Sequence, residues 1–144
     1  MRSDLQRAKD CLQKNGAYTC VFCRGERTET DSRRGILPLW DRLEAGRDYA
    51  EYCAADRVVG KAAAMLYILL HIRALWAGVI SEPALEMLER HGVAVSYMTR
   101  TDAIVNRSKT GPCPMESAVL QCDDPRLAPA LIREALEKLR TKGI

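Results

Sequence analysis

Four residues close together, Asp56, Arg57, Gly60 and Lys61, hold the chain's most concentrated chemistry, in the segment Cys53 to Ala62, CAADRVVGKA. Lys61 opens the apolar run AAAMLYILL, where an unpaired ammonium is costly, so it needs a partner or a ligand. Read as a helix, the segment puts Arg57 one turn before Lys61 on the same side. Both cations could then reach one phosphate or carboxylate. The competing readings are side chains that snorkel to the surface, or an ion pair from Lys61 to Asp56 or Glu82. Asp56 is suited to moving a proton, or to nothing more than complementing the dipole of a first helical turn. Gly60 permits close approach of a strand or a ligand.

A second group follows in GPCPMESAVL. Pro114 at a first helical position, with Glu116 two residues later, puts Cys113 at a helix N-cap, where the dipole favours a thiolate. Pro112 and Pro114 can equally be read as shaping a tight helix entry. The polar loop from Asn106 to Gly111 stands just before this helix and could close over an anion. In a catalytic reading Lys61 binds the substrate's anion or stabilises a developing oxyanion, Asp56 moves a proton and Cys113 is the nucleophile. Ser81, Glu82 and Cys53 complete the expected ligand-binding set with Arg57, Gly60, Asn106 and Glu116. Cys20-x-x-Cys23 lies on an extended run whose residues three apart point to opposite faces, which disfavours a shared metal or redox centre. His71 and His91 each fall at a helix end and read as structural.

The elements that must position these residues follow from periodicity and punctuation. Ser3 caps a helix whose apolar face is Leu5, Ala8, Cys11 and Leu12, and Gly16 ends it. Tyr18 to Cys23 is β-prone, and Arg24-Gly25-Glu26 turns it back into a polar strand through Thr30. Pro38, Trp40, Leu43 and Gly46 outline a short helix, and an irregular link from Arg47 leads to Cys53. From there a buried helix is expected to about His71, then a strand from Arg73 to Ile80. Ser81 caps the next helix, which Gly92 ends, and Val93 to Tyr97 is a further strand. Strand, helix, strand in so short a span implies a right-handed crossover and parallel pairing. Thr99 to Gly111 reads as loop. The last helix carries Leu127, Leu131, Ile132, Ala135, Leu136 and Leu139 on one stripe. The expected class is α/β, a three-layer sandwich with a mixed sheet, in one domain spanning 1–144.

With this order of elements, AADRVVGKAAA, GVISEPALE and GPCPMESAVL resemble the signatures of an uncharacterised bacterial family, known only as a domain of unknown function, with a cytidine-deaminase-like fold. In zinc deaminases a His or Cys ligand and a non-ligand Glu sit at one helix start, and Pro-Cys-x-x-Cys at another. Here Cys53 is retained, but Ala55 stands in the Glu position and Ser81-Glu82-Pro83-Ala84-Leu85 keeps only the proline. The resemblance therefore implies the fold without standard zinc deamination. No cofactor or metal is expected, and a zinc hydrolase would require Cys53 and Cys113 to converge with a third donor. The resemblance further implies a homo-oligomer.

Composition narrows the partners. A net charge of +3, from 22 basic and 19 acidic residues, is too mild and too evenly spread for a nucleic-acid binder, and suits a small anionic or nucleotide-like metabolite. Lys61, His71 and Arg73 interrupt the apolar stretch from Val58 to Ile80, which argues against a membrane span. The charged start MRSDLQRAKD is unlike a secretory signal, so a cytoplasmic location is expected, with the six cysteines mostly reduced. The alternative to a ligand-binding protein is a non-enzymatic regulatory or interaction module.

Overall fold

The computed structural model describes residues 2–105, 111 and 113–141. Its elements are α1 (Asp4–Lys14), β1 (Cys20–Arg24), β2 (Arg27–Asp31), α2 (Leu37–Glu44), β3 (Cys53–Val59), α3 (Lys61–Leu69), β4 (Ala74–Ser81), α4 (Glu82–Arg90), β5 (Ala94–Thr101), α5 (Pro114–Val119) and α6 (Ala128–Thr141). The five strands form one mixed sheet in the order β2-β1-β3-β4-β5. β1 is antiparallel to both β2 and β3, whereas β3, β4 and β5 are parallel. The expected α/β class and its antiparallel hairpin followed by parallel strands are what the chain forms.

One expected element is replaced. Cys53 to Val59 is not the start of the buried helix but the central strand of the sheet, and the helix begins only at Lys61. Between β1 and β4, and covered on both faces, this strand has no polar side from which a period of two could be read. Ala54 and Ala55, both fully buried, keep the strand thin enough for helices to pack on each face. Two smaller corrections follow. β5 runs on to Thr101, into the expected loop, and Leu127 is 61% exposed in a short 3-10 turn ahead of α6, off the stripe assigned to it.

The layers are unequal. α1 alone covers one face, where Ala8 and Leu12 pack on Val21, Cys23, Ala55 and Trp76. The other helices cover the opposite face, and there Phe22, Ala54, Leu66, Leu75, Leu88 and Ile132 join one continuous core. Arg42 fastens α2 to β2 by donating to Glu29, Asp31, the Tyr49 hydroxyl and the Pro38 carbonyl. Its guanidinium also lies 4.7 Å from the centre of the Phe22 ring. Asp31, hydrogen-bonded by Arg33 and then by Arg42, is held far below the usual carboxylate range.

Side chains alternate along β3 until Arg57, where the pattern slips. Ala54 and Asp56 face the main core, Ala55 and Arg57 face α1, and then Val59 rather than Val58 enters the main core. Val58 is left half exposed. The ladder passes over Arg57 and Gly78, and a Cβ at Gly78 would stand 2.7 Å from the Arg57 carbonyl oxygen. Glycine is what lets the two strands approach there.

Candidate functional site

The strand assignment separates the two cations that a helix would have brought together. Arg57 turns toward α1 and donates to the backbone carbonyls of Leu12 at 2.8 Å, Asn15 at 2.9 Å and Tyr18 at 2.5 Å. It satisfies the C-terminal carbonyls of α1 and the segment after it. Lys61, 7% exposed, lies on the opposite side of the sheet. Arg57 and Lys61 therefore cannot share one anion.

The partner of Lys61 is α5. Its ammonium donates to the Leu120 carbonyl at 3.1 Å, at the C-terminal end of α5, and stands 3.8 Å from Asp123. Neither Asp56 nor Glu82, the two partners considered from sequence, is near enough to pair with it: Asp56 bonds with Tyr67, and Glu82 pairs with Arg100 at 2.5 Å. In return α5 sends Glu116 to the start of α3, where its carboxylate accepts from the Lys61 amide at 2.6 Å and the Ala62 amide at 2.8 Å. A helix start favours an anion, and here the chain supplies its own. Gly60 makes this possible, since a Cβ there would lie 2.5 Å from the Glu116 carboxyl carbon. Two helices thus cap each other, each through a charged side chain.

Asp56 is placed differently. It projects from β3 into the main core, accepts from the Tyr67 hydroxyl at 2.7 Å and from the Val58 amide at 3.3 Å, and retains a partly exposed edge. Burial of the carboxyl pushes its pKa up to about 6, against the lowering effect of the Tyr67 hydroxyl. Cys20, its direct cross-strand partner, is buried beside it, and desolvation with the nearby Asp56 charge drives that thiol upward too. Tyr67, missed in the sequence, carries a detectable signal: a lone hydroxyl in an otherwise apolar helix needs a buried partner.

The remaining expected residues fall into place around this end of the sheet or away from it. Cys113 is the N-cap residue of α5, as its flanking prolines suggest; its side chain is partly buried against the main core and makes no capping bond. Ser81 caps α4 by accepting from the Ala84 amide at 3.3 Å. Asn106 lies outside the described residues. Cys53 stands at the beginning of β3, roughly 20 Å of extended chain from Gly60 at its end. Cys53 and Cys113 are therefore at opposite ends of the strand, and a zinc centre shared between them has no common locus. Cys20 and Cys23 face opposite sides, as their spacing requires.

Two outcomes follow from this geometry. Asp56 has a folded pKa above its unfolded value of 3.8, so its contribution favours the fold most below about pH 4 and is lost as pH rises through about 6. Urea denaturation across pH 4 to 7 should show about 3 kcal/mol of declining stability that the Asp56→Asn variant lacks. At the helix pair, Glu116→Ala and Gly60→Ala should each lower stability by about 1–2 kcal/mol, by removing or displacing the cap. Their combined loss in the double variant should fall well short of the sum, since both act on one interaction.

Comparison with known proteins gives the chain a family of unknown function. Among curated proteins none matches it. A crystal structure of a DUF1893 family protein from Thermotoga maritima is similar, with a TM-score of 0.81 and 25% sequence identity over 96% of this chain and 92% of that one. The family model described as a domain of unknown function, DUF1893, matches residues 7–136. The chain belongs to the DUF1893 family.

Proposed function

We propose that the protein binds a small metabolite at the C-terminal ends of its parallel strands, with Asp56 as the group that contacts and, in a catalytic cycle, exchanges a proton with it. The observation that carries this reading is the desolvated Asp56 carboxyl, its pKa pushed up to about 6 by burial although the Tyr67 hydroxyl and backbone amides bond to it. A group so placed is matched to acid–base work near neutrality. It also lies toward the C-terminal end of β3, the side of a parallel sheet on which ligands of open α/β folds are bound.

The ligand class follows from two complementary features at this end of β3. Asp56 suits an N–H donor such as the edge of a nitrogen heterocycle, and the start of α3 suits an anion that would take the place of the Glu116 carboxylate. A nucleotide-like anionic metabolite offers both. In this arrangement Lys61 holds α5 and does not contact the ligand, while Cys113, one turn before Glu116, stays a candidate nucleophile at the mouth. Ser81, buried as the cap of α4, and Glu82, paired with Arg100, support the start of α4 and are not assigned a ligand contact.

A thermal-shift panel of nucleosides, nucleotides, organic acids and sugar phosphates tests this. A stabilising compound should bind at least tenfold more weakly to Asp56→Asn than to the parent, and more tightly to Glu116→Gln, whose competing carboxylate is gone. A hit unaffected by Asp56→Asn would remove the assignment.

A second reading, an interaction module that assembles with itself, is favoured by β5. This edge strand exposes Tyr97 at 38% and Met98 at 67%, and carries neither lysine nor proline to blunt pairing. Light scattering on dilution from high concentration should then give a dimer that Met98→Lys converts to monomer. A monomer at every concentration would leave only the binding reading.

A further inference from the structure

We propose that Cys23 and Cys53 form a reversible cross-strand disulfide under oxidation, making the centre of the sheet a redox modification site. The antiparallel register of β1 and β3 makes these two residues direct partners. Directly opposed residues of an antiparallel pair point to the same face with Cα atoms about 4.5–5.5 Å apart, inside the range a disulfide spans. That face is the one under α1, where Cys23 packs with Ala8, Leu12 and Val21 and where Cys53 shares the side of Ala55. Cys20, nearest in sequence, lies on the other face and cannot take part.

The two thiols are not equivalent. Arg73 donates to the Cys53 sulfur at 3.3 Å, giving that sulfur a cationic neighbour whose side chain is 57% exposed and lies 3.5 Å from Asp4. Cys23 has only the Thr28 hydroxyl, at 3.7 Å, and burial pushes its thiol up. Cys53 is therefore the attacking sulfur and Cys23 the resolving one. With a peroxide as oxidant, the Cys53 thiolate displaces hydroxide from the peroxide oxygen and becomes a sulfenic acid. The Cys23 sulfur then attacks the Cys53 sulfur; the S–O bond breaks, the S–S bond forms, and the Cys23 proton leaves with the hydroxyl as water. Two thiols are oxidised by two electrons, which reduce one peroxide. A dithiol reductant reverses the link by exchange.

The bond would close the segment that carries β2 and α2 and tie the two central strands, restricting the unfolded chain. Reduced full-length protein is treated with a small excess of hydrogen peroxide under native conditions, then denatured, alkylated and digested. The expected product is a peptide pair joined through Cys23 and Cys53 and released by dithiothreitol, with Tm higher by roughly 5–10 °C in the oxidised form. Arg73→Gln should slow its formation about tenfold. The Cys23→Ala variant should hold Cys53 as a sulfenic acid that a dimedone probe labels. Recovery of Cys23 and Cys53 as alkylated thiols while Cys11 or Cys113 is oxidised would overturn the proposal, as would a link from Cys23 to Cys11. An unlabelled Cys53 in Cys23→Ala, or an unchanged rate in Arg73→Gln, would overturn the assignment of the attacking sulfur.

Discussion

The placement of every candidate group depends on β3 being buried on both faces at the middle of the sheet. A strand alternates its side chains, so two adjacent charged residues in it must part company. Asp56 goes to the main core and is desolvated against Tyr67, while Arg57 goes to α1 and is consumed by three backbone carbonyls. With the guanidinium turned to the other face, the Asp56 carboxyl is left without it as a hydrogen-bond partner. The perturbed acid is thus a consequence of topology, and of the glycine at position 78 that lets β4 press against the Arg57 carbonyl.

The helix that does follow β3 depends on a distant segment. α3 has no polar side-chain cap of its own, because Gly60 is its N-cap, and Glu116 supplies the missing acceptor across 55 residues of chain. Lys61 reciprocates at the end of α5. This exchange resolves the buried ammonium without a ligand, and it turns the start of α3 from an open anion seat into one held by an internal carboxylate. Any anionic ligand must compete with Glu116, so affinity at this position includes the free energy of releasing α5.

Much of the fold was legible because the outer elements obey simple patterns. Ser3, Gly16, Gly25, Gly46, Ser81 and Gly92 mark real boundaries, and the β4-α4-β5 crossover follows from spacing alone. The central strand was not legible, since Cys53-Ala54-Ala55 has no polar face and its alanines favour helix as strongly as burial permits strand. The misreading of β3 carried over to the site. Lys61, Gly60 and Glu116 stand out in the sequence, but the contact that joins them is between segments far apart in the chain, which no local pattern reports. Arg57 reads as a ligand only under a helical period, which β3 does not have. Asp56 is suited to proton transfer by its residue type, yet its partner, the Tyr67 hydroxyl on the next element, becomes evident only once the strand and helix face each other. The Cys23–Cys53 register is hidden for the same reason.

β3 carries Asp56 into a desolvated position in which burial pushes its pKa up to about 6. Carbon-13 NMR of the Asp56 side-chain carboxyl, followed across pH 3 to 8 and assigned by its loss in Asp56→Asn, measures this directly. A midpoint near 6 is expected. A midpoint near 4, the value of a solvated carboxylate, would contradict it.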